Sequence, residues 1–472
     1  MTKWYDASVF YHLYPLGCTG APADHLSGEG GNGFRQLMEW IPYLQDLGFN
    51  ALYIGPLFES SSHGYDTKDY RMADSRLGTN EELKTFISAC HHAGIKVVID
   101  AVFNHTGREF FAFRHIMEEK EASPYRDWYR GVSFHCQSPL GDPFCYEAWQ
   151  GHWELPCLNL KNPKVKAYIF ETVRFWINTF DIDGLRLDCA NVLDFDFMKE
   201  LRQETEQMKE DFWLMGEVIH GEYDRWVNPE MLHSVTNYAL HKALYSAHND
   251  HNYFEIAHNI RRLAKNGIEL YTFTDNHDED RLASKLADKA HLKPLYLLLF
   301  TLPGIPSIYY GSEWGIEGKR TNTSDKALRP AITAAEAAQN SNELTDYIRC
   351  LIQIHRENGE FHRGLYQQLA LTNRQYAFAR YGVEGVAITA VNNDSQPSQV
   401  LIPLPICGAR AKDLFTGNEV PIQHNCLDIH LEANSGTVIK VWDALMDGGL
   451  PLDKEDLSPE QMEELLGDMG EE

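Results

Sequence analysis

Short apolar segments that favour β-strands alternate along this chain with longer segments of helical periodicity. The strand-like runs are VFYHLYPL (9–16), ALYIGPL (51–57), KVVIDAV (96–102), GLRLDC (184–189), FWLMGEV (212–218), SVTNYA (234–239), ELYTFTD (269–275) and IPSIYYG (305–311). Helical patterns such as residues 34–48 and 80–94 lie between most of them. This alternation favours βα units and a parallel sheet. Eight such units over roughly 300 residues predict a closed (β/α)8 barrel, the TIM-barrel fold.

Two parts of the chain depart from this alternation. Between Val102 and Val165 lie about sixty residues rich in aromatic residues, Gly, Pro and Cys, too many for an ordinary loop, so we expect an insertion after the third strand. After about residue 365 the pattern becomes one of short strand candidates separated by Gly, Asn and Pro. These candidates are 376–381, 385–393, 398–406 and 435–443. They predict a separate antiparallel β-sandwich at the C-terminus.

Polar residues cluster where the predicted barrel strands end, which is where such barrels carry their chemistry. Asp100, Asn104 and His105 follow the third strand, Arg186 and Asp188 end the fourth, Glu217 ends the fifth, and Asn276, His277 and Asp278 follow the seventh. Successive side chains of a strand point to opposite faces, so Arg186 and Asp188 should project together. Any one of these residues alone could form a structural ion pair. Their convergence on one rim predicts a functional site.

Several chemistries could use such a set of residues. Histidines and aspartates could bind a metal, as in barrel amidohydrolases, but the early His-x-His pair of those enzymes is missing. No glycine-rich phosphate loop follows a strand, and no Gly-x-Ser-x-Gly motif is present. Carboxylate chemistry with an arginine beside one acid remains. Glycoside hydrolysis requires such a set: one acid kept protonated and another kept ionised.

The net charge of −26 argues against nucleic acid or an anionic membrane as a partner. A neutral substrate would not be affected by this charge. Residues 446–472 form an acidic tail, within which LSPEQMEELL has the spacing of a capping box and could form a short helix. The oligomeric state cannot be predicted from these features.

The nine cysteines and the apolar pattern suggest a cytoplasmic location. No Cys-x-x-Cys pair occurs, and the cysteine spacing suits reduced thiols. The N-terminus does not have the pattern of a signal peptide. No run of eighteen apolar residues indicates a membrane span.

The motifs at the strand ends resemble those of the α-amylase family, glycoside hydrolase family 13. The matching segments are HGYDTKDYR (63–71), DAVFNH (100–105), LPCLN (155–159), GLRLDCAN (184–191), GEV (216–218), FTDNHD (273–278) and GIPSIYYGSE (304–313). They occur in family order, and the resemblance covers about residues 4–445. It implies a barrel with an inserted domain B and a C-terminal β domain C. The implied boundaries are 1–104 and 163–364 for the barrel, 105–162 for domain B, 365–445 for domain C and 446–472 for the tail.

The resemblance also implies a role for each matching residue. Asp188 is similar to the family's nucleophile, Glu217 to its general acid and base, and Asp278 to its third carboxylate. Arg186 should lie against Asp188 and keep it ionised. The residues expected to bind substrate are Tyr65, Asp66, His105, Arg186, His220 and His277. Burial beside other acids should raise the pKa of Glu217 and leave it protonated near neutrality.

The sequence departs from the family pattern at two sites. Many relatives have Lys-His where this chain has Asn191 and Val192, and that histidine lends its carbonyl to calcium. A calcium ion therefore becomes doubtful, Asn104 is one candidate ligand, and no cofactor is expected to be required. The motifs resemble most closely the neopullulanase and cyclomaltodextrinase branch, or forms between it and the oligo-1,6-glucosidases. That branch usually has Ile-Trp-His after the acid, whereas Glu217 is followed by Val-Ile-His.

The expected function is hydrolysis of α-1,4-glucosidic bonds in maltooligosaccharides, with cyclodextrins and pullulan as further substrates. The mechanism would be a double displacement through a covalent glycosyl-aspartate. An α-glucosidase or transglycosylase of the same family, and a non-catalytic relative acting as a binding subunit, are the alternatives. In the insertion, Trp128, Tyr129, Trp149 and Trp153 could stack on sugars or form a core. Strand alternation predicts that Cys189 points away from Asp188.

Overall fold

The computed structural model describes residues 3–22, 31–264, 267–382, 385–404 and 410–442. An eight-stranded parallel sheet lies at the centre of the fold. Its strands are β1 (Phe10–Leu13), β2 (Ala51–Ile54), β3 (Lys96–Ala101), β4 (Gly184–Leu187), β5 (Trp213–Gly216), β6 (Ser234–Val235), β7 (Tyr271–Phe273) and β8 (Ile305–Tyr309). Each coincides with one of the eight predicted runs. The strand prediction is therefore confirmed.

The strands close into a barrel. Their hydrogen-bonded order is β6-β5-β4-β3-β2-β1-β8-β7, and a parallel bridge between Thr236 and Tyr271 joins the two outer strands. Large aromatic side chains fill the interior: the rings of Phe10 and Trp213 stack with centroids 5.1 Å apart, and Tyr53 is also buried there. The barrel interior is thus a packed core, and chemistry is confined to its rim.

Helices follow the barrel strands and contribute their apolar side chains to the core, and one of them, Leu292–Thr301, is buried on nearly every side. The longer ones are Gly33–Leu47, Asn80–His92, Pro163–Phe180, Phe195–Met208, Tyr238–Asn249, Phe254–Ala264, Leu292–Thr301 and Glu343–Glu357. The helix Asn80–His92 shows how the sequence sets a helix start: the Thr79 side chain accepts from the Glu82 amide, and the Glu82 carboxylate accepts from the Thr79 amide. This capping box satisfies amides that the first helical turn leaves unpaired.

The insertion after β3 packs around aromatic side chains. It contains a nine-residue helix, Phe111–Glu119, which the weak periodicity of this segment did not predict. Two short strands, Ala148–Trp149 and His152–Pro156, pair antiparallel. Trp128 and Tyr129 are buried, whereas Trp149 and Trp153 are half-buried. Trp128 and Tyr129 therefore belong to the core of the insertion.

Two antiparallel sheets form the C-terminal part, as the sequence predicts. The five-stranded sheet contains Leu365–Leu371, Gln375–Gly382, Gly385–Asn392, Arg410–Asp413 and Ser435–Trp442, and the three-stranded sheet contains Ser398–Pro403, Ile422–Gln423 and Cys426–Leu431. Ile388 and Ile439 of the first sheet share an apolar core with Ile402 and Leu427 of the second. This shared core makes the pair of sheets a β-sandwich.

One prediction from the cysteines is wrong. Cys136 and Cys145 of the insertion form a disulfide, whereas the spacing of the cysteines suggested reduced thiols. The two come together because Ser133 and Cys145 pair as antiparallel backbone, a contact that sequence separation alone does not show. The acidic tail and its predicted helix lie outside the described residues.

Of the helices that the structure describes, none has the length and apolar character that crossing a bilayer would require.

Candidate active site

The register of the parallel strands brings the predicted site residues together. In β4 and β5, Leu187 lies opposite Gly216, so the next residue of each strand, Asp188 and Glu217, emerges at the same level. The amide of Glu217 donates to the Leu187 carbonyl at 2.9 Å and continues the ladder past the end of β5. The two acids therefore project from the carboxyl ends of neighbouring strands.

Arg186 lies at the centre of a buried group of carboxylates. Its Nη1 is 2.8 Å from Asp188 Oδ1 and 3.0 Å from Asp100 Oδ1, and its Nη2 is 2.9 Å from Glu217 Oε1. Burial alone would lower the pKa of Arg186, but the Asp100 and Glu217 carboxylates hold it well above its ordinary value. The predicted contact with Asp188 is present. The contact with Glu217 is an addition that the sequence did not indicate.

Asp188 and Glu217 are close enough to act on one bond. One carboxylate oxygen of each lies, with the Cys189 sulfur, in a group whose atoms are all within 4.8 Å of one another. Burial raises the pKa of Glu217 to about 7, although the Arg186 cation opposes this shift. A carboxyl with that pKa is mostly protonated at pH values below neutrality.

Asp278, which follows β7, contacts a histidine and two arginines. Its Oδ2 is 3.1 Å from His277 Nε2, and its Oδ1 is 2.9 Å from Arg329 Nη2. Burial would raise the pKa of Asp278, but His277 and Arg329 hold it well below its ordinary value. Arg320 Nη2 approaches the same Oδ1 at 3.5 Å from a more exposed position. Asp278 is therefore a charged carboxylate beside a carboxyl that keeps its proton.

Tyr65 connects the two sides of the site. Its hydroxyl donates to Asp100 Oδ2 at 2.9 Å and is 2.6 Å from His277 Nε2, and its ring stacks on the His277 ring. Asp66 is buried beside it and accepts from the Ser62 hydroxyl at 2.6 Å. Tyr65 is thus among the residues that the fold brings together, whereas Asp66 braces the preceding loop.

The two predicted histidines each present a buried nitrogen with no protein partner. Among the described residues, His105 Nε2 and His277 Nδ1 are both buried without a hydrogen bond. Burial lowers the pKa of His105, so its imidazole is neutral near pH 7. Unpaired buried nitrogens are costly unless a ligand or water satisfies them. His220 is different, because it lies three residues after Glu217 and is exposed.

The prediction for Cys189 is wrong. Its sulfur lies 3.2 Å from Asp188 Oδ2, on the same side as the carboxylate. The reason is the backbone of Cys189, which has a φ of +50° and ends the strand after Leu187. Alternation of side chains applies only to extended backbone, so it does not extend to this residue.

Asn104, the candidate calcium ligand, is engaged in contacts within the protein. Its backbone oxygen accepts from the Leu158 amide at 2.9 Å, and its Nδ2 is 3.2 Å from His105 Nδ1. Calcium takes six to eight oxygen ligands. In the described part of the chain, the group of His, Cys, Asp and Glu donors that comes closest to a metal site is Asp188, Cys189 and Glu217, which contains a thiol. A calcium ion at this position stays a prediction, which removal of divalent cations by a chelator tests.

Sequence reasoning missed three residues that support the site. Arg329 contacts Asp278, donates from Nε to the His277 carbonyl at 2.9 Å, and lies over the Tyr14 ring. The Tyr14 ring in turn stacks with the His277 ring, with centroids 5.5 Å apart. Tyr53 donates to Asp100 Oδ2 at 2.9 Å from inside the barrel. An arginine after the eighth strand carries no pattern of its own, so only the fold shows its position.

A barrel whose rim holds two carboxyls this close, one of them protonated near neutrality, has the construction of a glycoside hydrolase. Comparison with known proteins gives the family. Residues 28–358 match the family described as "Alpha amylase, catalytic domain". The chain therefore belongs to the α-amylase family of glycoside hydrolases.

Individual relatives lie in the branch that the motifs indicated. The chain is 32% identical over 422 residues to a cyclomaltodextrinase of Thermoanaerobacter pseudethanolicus, covering 87% of this chain and 71% of the relative. It is 30% identical over 456 residues to a cyclomaltodextrinase of Geobacillus thermopakistaniensis, covering 91% and 76%. The crystal structure of a Nostoc punctiforme debranching enzyme superposes with a TM-score of 0.79 at 27% identity, covering 93% of this chain and 99% of that one. The chain is accordingly an α-glucan hydrolase of this family.

Proposed function

We propose that the protein hydrolyses α-1,4-glucosidic bonds of maltooligosaccharides with retention of the anomeric configuration. The observation that carries this proposal is the short separation between Asp188 and Glu217, whose carboxylate oxygens lie within 4.8 Å. Retaining glycosidases place their two carboxyls about 5 Å apart, whereas inverting enzymes need about 6.5–9.5 Å to accommodate a water. The distance supports a double displacement.

Asp188 is the nucleophile in this proposal. Arg186 holds its Oδ1 at 2.8 Å and stabilises the anion. The carboxylate attacks the anomeric carbon, and the bond between that carbon and the leaving oxygen breaks as Glu217 donates its proton to that oxygen. Glu217, now ionised, takes a proton from water in the second step. The resulting hydroxide equivalent attacks the anomeric carbon and releases Asp188 as a carboxylate.

The remaining residues hold the sugar. The pKa of Asp278 is held well below its ordinary value, so its carboxylate can accept hydrogen bonds from ring hydroxyls and stabilise the positive charge that develops at the anomeric centre. His105 Nε2 and His277 Nδ1, buried without partners, can bind further hydroxyls. The ring of Tyr65 is half-buried and can stack on a pyranose. We assign the exposed His220 to a sugar on the leaving-group side, because it follows Glu217 by three residues.

Relatives suggest the substrate range. The two relatives reported above are cyclomaltodextrinases, so we extend the proposal to cyclodextrins. A neopullulanase 2 of Thermoactinomyces vulgaris, 29% identical over 465 residues, extends it to pullulan. The half-buried Trp149 lies beside His105 with ring centroids 5.7 Å apart and can contribute a stacking surface in the insertion. Transfer of the glycosyl group to a sugar acceptor instead of water would follow the same first step. Product analysis distinguishes this transfer from hydrolysis.

The test combines variants with product analysis. Asp188→Asn, Glu217→Gln and Asp278→Asn should each abolish turnover of maltotriose while the melting temperature stays near that of the wild type. Asp196→Asn, which alters an exposed carboxylate on the helix Phe195–Met208, is the matched control and should be fully active. The wild type is then assayed on maltodextrins, β-cyclodextrin, pullulan and isomaltose. Near-normal activity of any of the three site variants would contradict the role given to that residue.

A further inference from the structure

Cys189 contacts both carboxyl groups that the proposed mechanism uses. Its thiol sulfur lies 3.2 Å from Asp188 Oδ2, and its backbone amide donates to Glu217 Oε2 at 3.0 Å. The residue is buried and free of any disulfide. A single residue therefore contacts both acids.

The four carboxyl oxygens of Asp188 and Glu217 contact two residues, Arg186 and Cys189. Arg186 contacts Asp188 Oδ1 and Glu217 Oε1, at 2.8 and 2.9 Å. Cys189 contacts the other oxygen of each, Oδ2 and Oε2. Each carboxyl is thus held at both oxygens, which fixes its rotation about the terminal side-chain bond. Fixed orientation matters because an error of about 1 Å in a catalytic group can cost about a hundredfold in rate.

Both contacts depend on the backbone conformation of Cys189. With φ at +50° and ψ at 38°, the residue turns the chain out of β4 and brings its amide and its side chain toward the acids together. This left-handed region is unfavourable for residues other than Gly, Asn and Asp. Cys189 adopts this conformation although it carries a Cβ, and the conformation brings its thiol to Asp188.

We propose that Cys189 is a positioning residue, whose thiol orients the nucleophile Asp188 through a hydrogen bond to Oδ2. The inference rests on the proposed double displacement. A thiol is a weak donor, so it can orient the carboxylate oxygen while withdrawing little of the electron density that the attack requires. Burial and the neighbouring carboxylates raise the pKa of the Cys189 thiol, which therefore keeps the proton that it donates.

Three substitutions distinguish the contribution of the Cys189 thiol to activity from that of the Cys189 backbone. Cys189→Ala removes the donor and keeps a Cβ on the same backbone. Cys189→Ser keeps a donor of similar reach. Cys189→Gly also removes the donor but suits the positive φ, so it carries the test if the alanine variant does not fold. Cys90→Ala is the matched control, because Cys90 is a buried free thiol on the helix Asn80–His92.

The experiment measures kcat, KM and melting temperature for maltotriose hydrolysis. We expect kcat of Cys189→Ala or Cys189→Gly to fall about tenfold, within the range for lost hydrogen bonds to charged groups, with KM changed less than about threefold. Cys189→Ser should restore kcat to within about threefold of the wild type. Cys90→Ala should have wild-type kcat. Rescue by serine and an effect on kcat alone are results that a space-filling role would not give.

Two outcomes would overturn the inference, and a third separates it from the proposed function. Full kcat in Cys189→Ala would show that the thiol does not orient Asp188. A serine variant as slow as the alanine variant, with both melting temperatures unchanged, would show that only the size of the sulfur matters. Asp188→Asn is assayed in parallel: if that variant is active, the proposed function falls and the inference with it, whereas an inactive Asp188→Asn leaves the first two outcomes as tests of Cys189 alone.

Discussion

Arg186 forms an ion pair with Glu217, its Nη2 lying 2.9 Å from Oε1, in addition to the contact with Asp188. A cation this close favours the ionised form of Glu217, yet burial raises the pKa of this residue to about 7. Desolvation therefore outweighs the nearby charge. The same guanidinium can stabilise Asp188 as an anion while Glu217 keeps the proton that the leaving oxygen needs.

Arg186→Lys should strongly reduce both activity and stability. The lysine ammonium cannot reproduce the fork that reaches three buried carboxylates, and removing one partner of a buried pair typically costs about 3–5 kcal/mol. We expect kcat/KM for maltotriose to fall at least about a hundredfold, with a lower free energy of unfolding in denaturant titration.

The control for this variant is Arg114→Lys, because Arg114 pairs with Glu118 on the surface of the helix Phe111–Glu119. Exposed pairs contribute at most about 1 kcal/mol, so this variant should behave like the wild type. An Arg186→Lys variant with wild-type activity and stability would contradict the central position given to Arg186.

Activity should decline as pH rises through about 7. The pKa of Glu217 is raised to about 7, so above this pH the residue loses the proton that it donates to the leaving oxygen. The pH profile of kcat/KM for maltotriose reports this group in the free enzyme. With α-maltosyl fluoride, whose leaving group needs no protonation, the decline should be much weaker. A profile for maltotriose that stays flat from pH 6 to pH 9 would refute the assignment of Glu217 as the acid.

Arg329→Met should reduce activity most at low pH. Arg329 is one of the cations that hold the pKa of Asp278 below its ordinary value, so its loss raises that pKa and makes Asp278 protonate at a higher pH. The acidic limb of the kcat/KM profile should therefore shift to higher pH. Arg320→Met is the comparison, since Arg320 is 3.5 Å from the same oxygen, and should shift the limb less. Equal profiles for both variants and the wild type would exclude this role.

Removing divalent cations should leave the protein unchanged. The backbone oxygen of Asn104 accepts from the Leu158 amide and its side-chain nitrogen lies beside His105, whereas calcium requires six to eight oxygen ligands. We expect the same melting temperature and maltotriose activity with a chelator as without it. A drop in melting temperature that added calcium reverses would show that a calcium ion supports the insertion.

The sequence predicted the parts of the site that follow regular geometry. All eight barrel strands carry period-two or continuous apolar runs, and closure of the barrel then fixes where Asp188, Glu217 and Asp278 emerge. The family motifs supplied the expected partner of Arg186. These features are local, or they depend only on the order of strands, so they can be read along the chain.

Features that depend on backbone departures or on long-range contacts were not predicted. The Cys189 side chain lies beside Asp188 because its backbone is left-handed. A cysteine in the sequence does not predict that backbone conformation. Arg329 reaches Asp278 across 51 positions of the sequence. Cys136 and Cys145 meet because the insertion folds back on itself. Each of these three features depends on tertiary packing, which leaves no periodic pattern in the sequence.

The stereochemistry of the first product tests the central claim most directly. Proton NMR during the first minutes of maltotriose hydrolysis, before mutarotation, shows which anomer of the new reducing end forms first. The carboxyl separation of Asp188 and Glu217 predicts the α anomer, since two inversions at the anomeric carbon restore the configuration of the bond that was cleaved. Initial release of the β anomer would mean a single displacement by water and would contradict the proposed role of Asp188.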